Sequence, residues 1–312
     1  MKPRFVRVFA PATIANVGPG FDVLGIAIDE PGDIVIAEQR NEPGLAFSIH
    51  GSPTTPTNYN NVAAHVANLM LDELKPSFGI SLVLHKKMPI GSGLGSSGAS
   101  SAAAAFAVNA LLPQPLSKMD LIPFAMEGER LASGSAHADN VAPSLLGGIC
   151  LVRSYQPLDI VEIPFQNRFF WVVAHPHVVV NTQTARECLP TTVSLSALVQ
   201  QSGNLSGLIT GFITGDAALV GRSLHDVIIE PIRSALIPNF DTVKAAALNA
   251  GALAFSISGS GPSVFAVATS IEAAKKIAAE MKKSFAANQG TECDIYISHI
   301  NPDGAQIVGS SP

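Results

Sequence analysis

Pro89-Ile90-Gly91-Ser92-Gly93-Leu94-Gly95-Ser96-Ser97-Gly98-Ala99-Ser100-Ser101 stands between an apolar, β-branched segment (residues 80–84) and an alanine-rich run (residues 102–112). Its glycines and serines sit where a strand hands over to a helix. The first turn of a helix leaves backbone N–H groups without partners and carries roughly half a positive charge, so this junction suits an anion. Glycine lets the backbone close on a phosphate, and serine adds donors or a magnesium ligand. Residues 93–98 spell G-x-G-x-x-G, but a dinucleotide site also needs an acidic residue about 20 positions on, after the next strand. Residues 117–121 read instead as the start of a helix. No Gly-Lys-Ser/Thr closes the loop, which excludes the P-loop reading. Taken alone, the stretch leaves a plain connecting turn open.

The 312 residues suggest about two domains. With 47% hydrophobic and 14% charged residues the chain can build a core and is not disordered. A net charge of −5 without a basic run argues against a nucleic-acid partner, so an anionic ligand must be held by local groups. Cys150, Cys188 and Cys293 are odd in number and far apart, which points to a reducing compartment and away from structural zinc. The first residues carry no apolar h-region, and the apolar window at 102–112 is too short to span a bilayer. The expectation is a cytoplasmic protein without a membrane partner.

Residues 5–10 read as a strand and 11–22 as a loop dense in turn formers; 23–28, 33–38 and 45–50 read as short strands. Residues 61–74 form an amphipathic helix with His65 as a packing residue, 80–85 a strand, and 98–112 and 117–131 helices. A polar knot at 134–143 precedes a strand at 145–152, and a domain boundary falls near 153–165, where Pro157 and Pro164 interrupt the pattern. Beyond it come a strand at 169–174, helices at 182–189, 194–201, 205–214, 216–224 and 242–250, and strands at 252–258 and 263–268. A helix at 271–285 and a strand at 293–299 follow. The alternation predicts an α+β half with an antiparallel sheet.

Three motifs occur in order: Asn16-Val17-Gly18-Pro19-Gly20-Phe21-Asp22, the glycine–serine loop, and Ser258-Gly259-Ser260-Gly261-Pro262-Ser263. This ordered triplet resembles the GHMP small-molecule kinases. Within them, His137-Ala138-Asp139-Asn140-Val141-Ala142-Pro143, Thr182 with Arg186, and Glu230-Pro231-Ile232-Arg233 resemble the homoserine kinase family. The resemblance implies an α+β GHMP kinase fold. It places an N-terminal ribosomal-protein-S5-like ATP-binding domain at 1–160 and a C-terminal ferredoxin-like α/β sandwich domain at 161–312. It further implies ATP-dependent phosphorylation of the side-chain hydroxyl of L-homoserine for threonine biosynthesis, with ATP and Mg2+ as cofactors and a homodimer as the assembly.

The resemblance also assigns residues. Pro89, Ile90, Gly91, Ser92, Gly93, Leu94, Gly95, Ser96, Ser97 and Gly98 would wrap the triphosphate, with Gly259 and Gly261 beneath. Ser97 and Glu129 would ligate magnesium, a hydroxyl and a carboxylate of the hard oxygen type; Glu127, two residues away, should point elsewhere. Asn16, Asp22 and Asp139 would face the amino and hydroxyl end, Arg186 and Arg233 would clamp the carboxylate bidentately, and Thr182 and His137 would line the same site. Asn140 stands where the mevalonate-kinase branch carries a catalytic aspartate. An amide is no base near neutral pH, so the expected chemistry is alignment and charge stabilisation, with Asn140, Asn16 and Asp22 at its centre. Other readings are a kinase of a different small alcohol, a regulator that has lost turnover, and, weakest, a nicotinamide oxidoreductase. The arginine pair disfavours a neutral sugar, and Asn140 disfavours a mevalonate-type substrate.

Overall fold

The computed structural model describes residues 4–51, 60–287 and 290–311. The first half runs β1 (Phe5–Ala15), β2 (Leu24–Arg40), β3 (Leu45–His50), α1 (Val62–Leu74), β4 (Gly79–His85), α2 (Ser96–Leu111), α3 (Lys118–Ser133), α4 (Val141–Leu146), β5 (Ile149–Tyr155) and β6 (Leu158–Ile163). The second runs β7 (Phe170–Pro176), α5 (Thr182–Glu187), α6 (Leu195–Thr214), α7 (Ala217–Ser223), α8 (Glu230–Arg233), α9 (Phe240–Asn249), β8 (Ala254–Ile257), β9 (Val264–Ala268), α10 (Ile271–Ala286), β10 (Cys293–Ser298) and β11 (Gln306–Ser311).

One sheet is ordered β11-β1-β2-β4-β3, with β5 and β6 branching from β2; the other is ordered β10-β7-β9-β8 and is antiparallel throughout. β2 makes the branch possible. Its Ile34–Arg40 half pairs with β4, while its Leu24–Ile26 segment pairs with β5, so one long strand serves two neighbours on the same side. Along β1, Val6, Val8 and Ala10 face the helices α1–α4, whereas Ala12 and Ile14 join a second core with Trp171, Phe212 and Phe265. That second core welds the two sheets together, and the third motif is thereby held against the first.

Ala99, Ala102 to Ala105 and Ala107 of α2 are fully buried, which lets α1 and α3 pack closely on it. Several elements differ from the local reading. Pro11 to Ala15 continue β1 rather than starting a loop, because cross-strand pairing and burial outweigh their turn character. The segments at 23–28 and 33–38 are one strand; at Gly32 a Cβ would strike the Phe9 ring at 2.3 Å, and the register against β1 shifts between Pro11 and Thr13. The helices at 194–201 and 205–214 are one, since Gly203 is carried inside α6 at a cost of about 1 kcal/mol. Leu145 and Leu146 end α4, and the strand begins at Ile149. β6 and β11 carry weak local signals and are defined by their partners. Among the described residues no helix is long and apolar enough to cross a membrane, and the cysteines are unpaired.

Candidate active site

The glycine–serine loop alternates: Ser92, Leu94, Ser96 and Gly98 turn inward, while Gly91, Gly93, Gly95 and Ser97 are part-exposed and Ile90 is exposed. Gly95, in the left-handed region at φ +66°, is the N-cap of α2 and makes no side-chain cap, leaving the first-turn N–H groups for a ligand. Gly93 lies so close to the third motif that a Cβ would sit 2.6 Å from the Ser258 carbonyl and 2.7 Å from that of Gly261. Ser258 Oγ donates to the Gly93 carbonyl at 2.7 Å, and the Ser263 amide to that of Ser92 at 3.1 Å. The third motif thus braces the glycine–serine loop from behind.

Beneath the start of α2 lies a buried ion pair that local sequence reading missed. Lys86 Nζ donates to Asp33, to the Ser96 carbonyl (2.8 Å) and to Ser100 Oγ (2.9 Å), and the Ser100 hydroxyl donates to Asp33 Oδ2 (2.6 Å). Asp33 Oδ1 accepts the amides of Lys87 and Met88. Burial pushes the Lys86 ammonium pKa down, against the pull of Asp33. With its donors satisfied, the pair anchors β2, the exit of β4 and the first turn of α2 to one another. Nothing in His85-Lys86-Lys87 distinguishes the buried lysine from its exposed neighbour.

Glu129, on the buried face of α3, has an oxygen, Oε1, without a partner among the described residues. Burial raises its pKa, while the Ser97 hydroxyl and Lys86 favour the carboxylate. An orphaned carboxylate oxygen beside a hydroxyl at a helix N-terminus fits Mg2+, which takes one or two protein oxygens and completes its shell with phosphates and water. Glu127 faces away and pairs with Arg130 at 3.0 Å.

At the other end, Asn16 in the left-handed region accepts the Asp22 amide and donates from Nδ2 to the Gly259 carbonyl, both near 3 Å. Asp22 is held by Arg186 through both guanidinium nitrogens at 2.8–3.0 Å. Arg233, 3% exposed, donates Nε to the Ala185 carbonyl (2.9 Å) and Nη1 to that of Gly259 (3.1 Å). Both guanidinium groups lie over the Phe21 ring, at 5.4 Å and 5.2 Å, so the aromatic ring of the first motif spaces the two cations. Asp139 is buried, and burial together with Asp22 and Glu129 pushes its carboxyl up to about 7, against Arg186. His137 is held low by burial, and neither ring nitrogen has a partner among the described residues. Thr182, at the start of α5, approaches Ser260 Oγ at 3.5 Å. Asn140 bridges the two ends: its Cβ would lie 3.1 Å from a Cβ on Gly98, and its Oδ1 accepts Thr13 Oγ1 at 2.7 Å.

These contacts link the expected residues into one connected group, with acids and arginines at one end and the positive end of a helix at the other. The homoserine kinase of Chlorobium phaeovibrioides is 47% identical to this chain, across 97% of it and 99% of that protein. The chain belongs to the homoserine kinase family. The crystal structure of homoserine kinase from Cytophaga hutchinsonii superposes with a TM-score of 0.94 at 50% identity, covering 98% of both chains. The model of the GHMP kinases N terminal domain matches residues 61–148, and that of the GHMP kinases C terminal domain matches residues 208–287. The fold extends further: L. major mevalonate kinase in complex with R-mevalonate has a TM-score of 0.74 at 17% identity, over 94% of this chain and 95% of that one. The α+β GHMP kinase fold expected from the three motifs is the fold observed. In this member of the homoserine kinase family, Thr13, Asp33, Lys86 and Phe21 complete the surroundings of this group. Phe21 lies within the first motif, whereas Thr13, Asp33 and Lys86 gain their meaning only from partners distant in sequence.

Proposed function

We propose that the chain transfers the γ-phosphoryl group of ATP to the side-chain hydroxyl of L-homoserine, giving O-phospho-L-homoserine for threonine biosynthesis. The observation that carries this reading is the Asp22–Arg186 pair beside Arg233, set against the N-terminus of α2. A zwitterion needs an anion for its ammonium and a guanidinium for its carboxylate, and a triphosphate needs backbone donors.

The backbone N–H groups of the part-exposed Gly91, Gly93 and Gly95 and of the first turn of α2 bind the phosphates. Ser97 and Glu129 would hold Mg2+, which when bound supplies neutralising charge at the phosphoryl oxygens. Asp22 and Asp139 take the substrate ammonium, while Arg186 and the Nη2 of Arg233 take the carboxylate; Nη2 makes no hydrogen bond among the described residues. Asn140 holds the hydroxyl in line with the γ-phosphorus. As the new O–P bond forms, the bond to the bridging oxygen breaks and ADP leaves. Alignment and electrostatics suffice because the transition state is loose. In the same reading residues 1–160 carry the nucleotide and 161–312 the second lobe, and the protein works in the reducing cytoplasm.

The assembly is a homodimer formed through α6. No Asp, Glu, Lys, Arg or His occurs between Glu187 and Asp216, yet Leu195 is 75% and Val199 66% exposed. On a twofold axis like meets like, so a charge-free face is self-complementary. Antiparallel pairing about residue 204 sets Leu195 against Ile213 and Ser202 against Ser206, small residues at the crossing and apolar ones at the ends. A helix of this length presents about 500 Å² per copy, enough for a modest interface.

A coupled ADP-release assay offering homoserine, mevalonate and galactose tests the reaction. Turnover with homoserine alone is expected; turnover with mevalonate or galactose in its place, or with none of the three, overturns it.

A further inference from the structure

We infer that Thr13 is a positioning residue that fixes the amide of Asn140, so that its Nδ2 and not its Oδ1 meets the substrate hydroxyl; the inference rests on the proposed reaction. Thr13 is fully buried in β1, and its backbone amide donates to the Leu94 carbonyl of the phosphate loop at 3.1 Å. Its hydroxyl donates to Asn140 Oδ1 at 2.7 Å. The amide's other end, Nδ2, makes no hydrogen bond to any described residue. A buried hydroxyl must place its proton, and here the carbonyl end of Asn140 takes it. Gly95 closes the lock, since a Cβ there would lie 2.0 Å from Thr13 Oγ1 and 2.6 Å from Asn140 Oδ1. Strand, phosphate loop and Asn140 are therefore in mutual contact at this one bond.

The orientation decides what Asn140 does. A carbonyl facing the substrate would accept the hydroxyl proton and turn a lone pair away from it. An N–H facing it donates to the hydroxyl oxygen, leaving that proton directed at the phosphoryl oxygens. As the O–P bond forms and the proton passes to the transferred phosphoryl group, the oxygen keeps a donor aimed at its developing charge. Asn140 then stabilises charge rather than removing a proton, and Thr13 keeps it in that sense.

Steady-state kinetics of the full chain test this with Thr13→Ser, which keeps the hydroxyl, and Thr13→Val, which keeps the shape. Thr13→Ser should retain kcat within about threefold, whereas Thr13→Val should lose roughly 10- to 100-fold in kcat with KM for both substrates within about threefold. In a double-mutant cycle Thr13→Val should add nothing to Asn140→Ala. A Thr13→Val kcat within twofold of wild type, or a loss additive to Asn140→Ala, overturns the role. A second readout needs no Thr13 variant. In wild-type protein labelled with ¹⁵N-asparagine, the Nδ2 protons of Asn140, assigned by their loss in Asn140→Ala, should shift on adding homoserine; unmoved resonances under saturating homoserine overturn it. Wild-type protein without homoserine turnover would sink the reaction itself, a different failure.

Discussion

Arg186 closes on Asp22 with Nη1 at 3.0 Å from Oδ2 and Nη2 at 2.8 Å from Oδ1, so the residues proposed for opposite ends of a zwitterion are bonded to each other. Homoserine brings one charge for each, and its entry exchanges one neutral pair for two. Replacing Arg186 by Lys keeps the charge and loses the fork. KM for homoserine should rise about 10- to 100-fold, with KM for ATP unchanged, in initial-rate measurements.

The same group of charges sets a pH dependence. Asp139 is pushed up to about 7 by burial and by Asp22 and Glu129, so in free protein it is protonated over much of the range where an ordinary carboxyl is ionised. Only the ionised form attracts the ammonium, and kcat/KM for homoserine should rise as pH passes upward through about 7. Because the native pKa exceeds the unfolded one, native protein binds more protons between about 4 and 7 and this group's contribution to stability falls as pH rises. Asp139→Asn should therefore melt a few degrees higher than wild type at pH 8, and hardly differ at pH 5, while losing homoserine affinity.

Glu129→Gln removes a buried carboxylate whose Oε1 has no partner among the described residues. The half-saturating Mg2+ concentration should rise at least about tenfold without loss of thermal stability. Glu127→Gln, which breaks only the exposed pair with Arg130, should leave the Mg2+ titration where it was.

Gly95→Ala must place a Cβ 2.0 Å from a buried hydroxyl at φ +66°. Urea unfolding should show a loss of about 2–4 kcal/mol, and turnover should collapse. Gly134→Ala, at φ +78° with nothing within 4 Å, meets only the backbone penalty of about 1 kcal/mol.

Val199→Glu puts like charges together wherever two α6 faces meet. Light scattering after gel filtration should give the mass of one chain in place of two, with kcat for homoserine within about twofold. Lys282→Glu, on the exposed face of α10, should leave the mass unchanged. A wild-type protein already of one chain's mass would remove the dimer from the reading.

Legibility followed the range of the interactions. The junction at residues 91–98 announces itself because glycine positions and helix starts are local matters, and the ordered motifs carried the family and the fold. Gly203 concealed the unity of α6, since its tolerance inside a helix depends on the packing of Leu208 and Phe212 against the second sheet. Lys86 looked like Lys87 because only the approach of Asp33, more than 50 positions earlier, makes it a buried ion. Thr13 required Asn140, 127 residues away, before its hydroxyl had a purpose.

β11 pairs with β1, Phe5 opposite Ser311, so β1 takes one of its two neighbours from about 300 positions further along the chain. Until β11 docks, β1 presents a bare strand edge, an invitation to pairing with other chains. Closing this edge is thereby a matter of long-range docking, and a chain truncated before Gln306 would display an unfinished sheet.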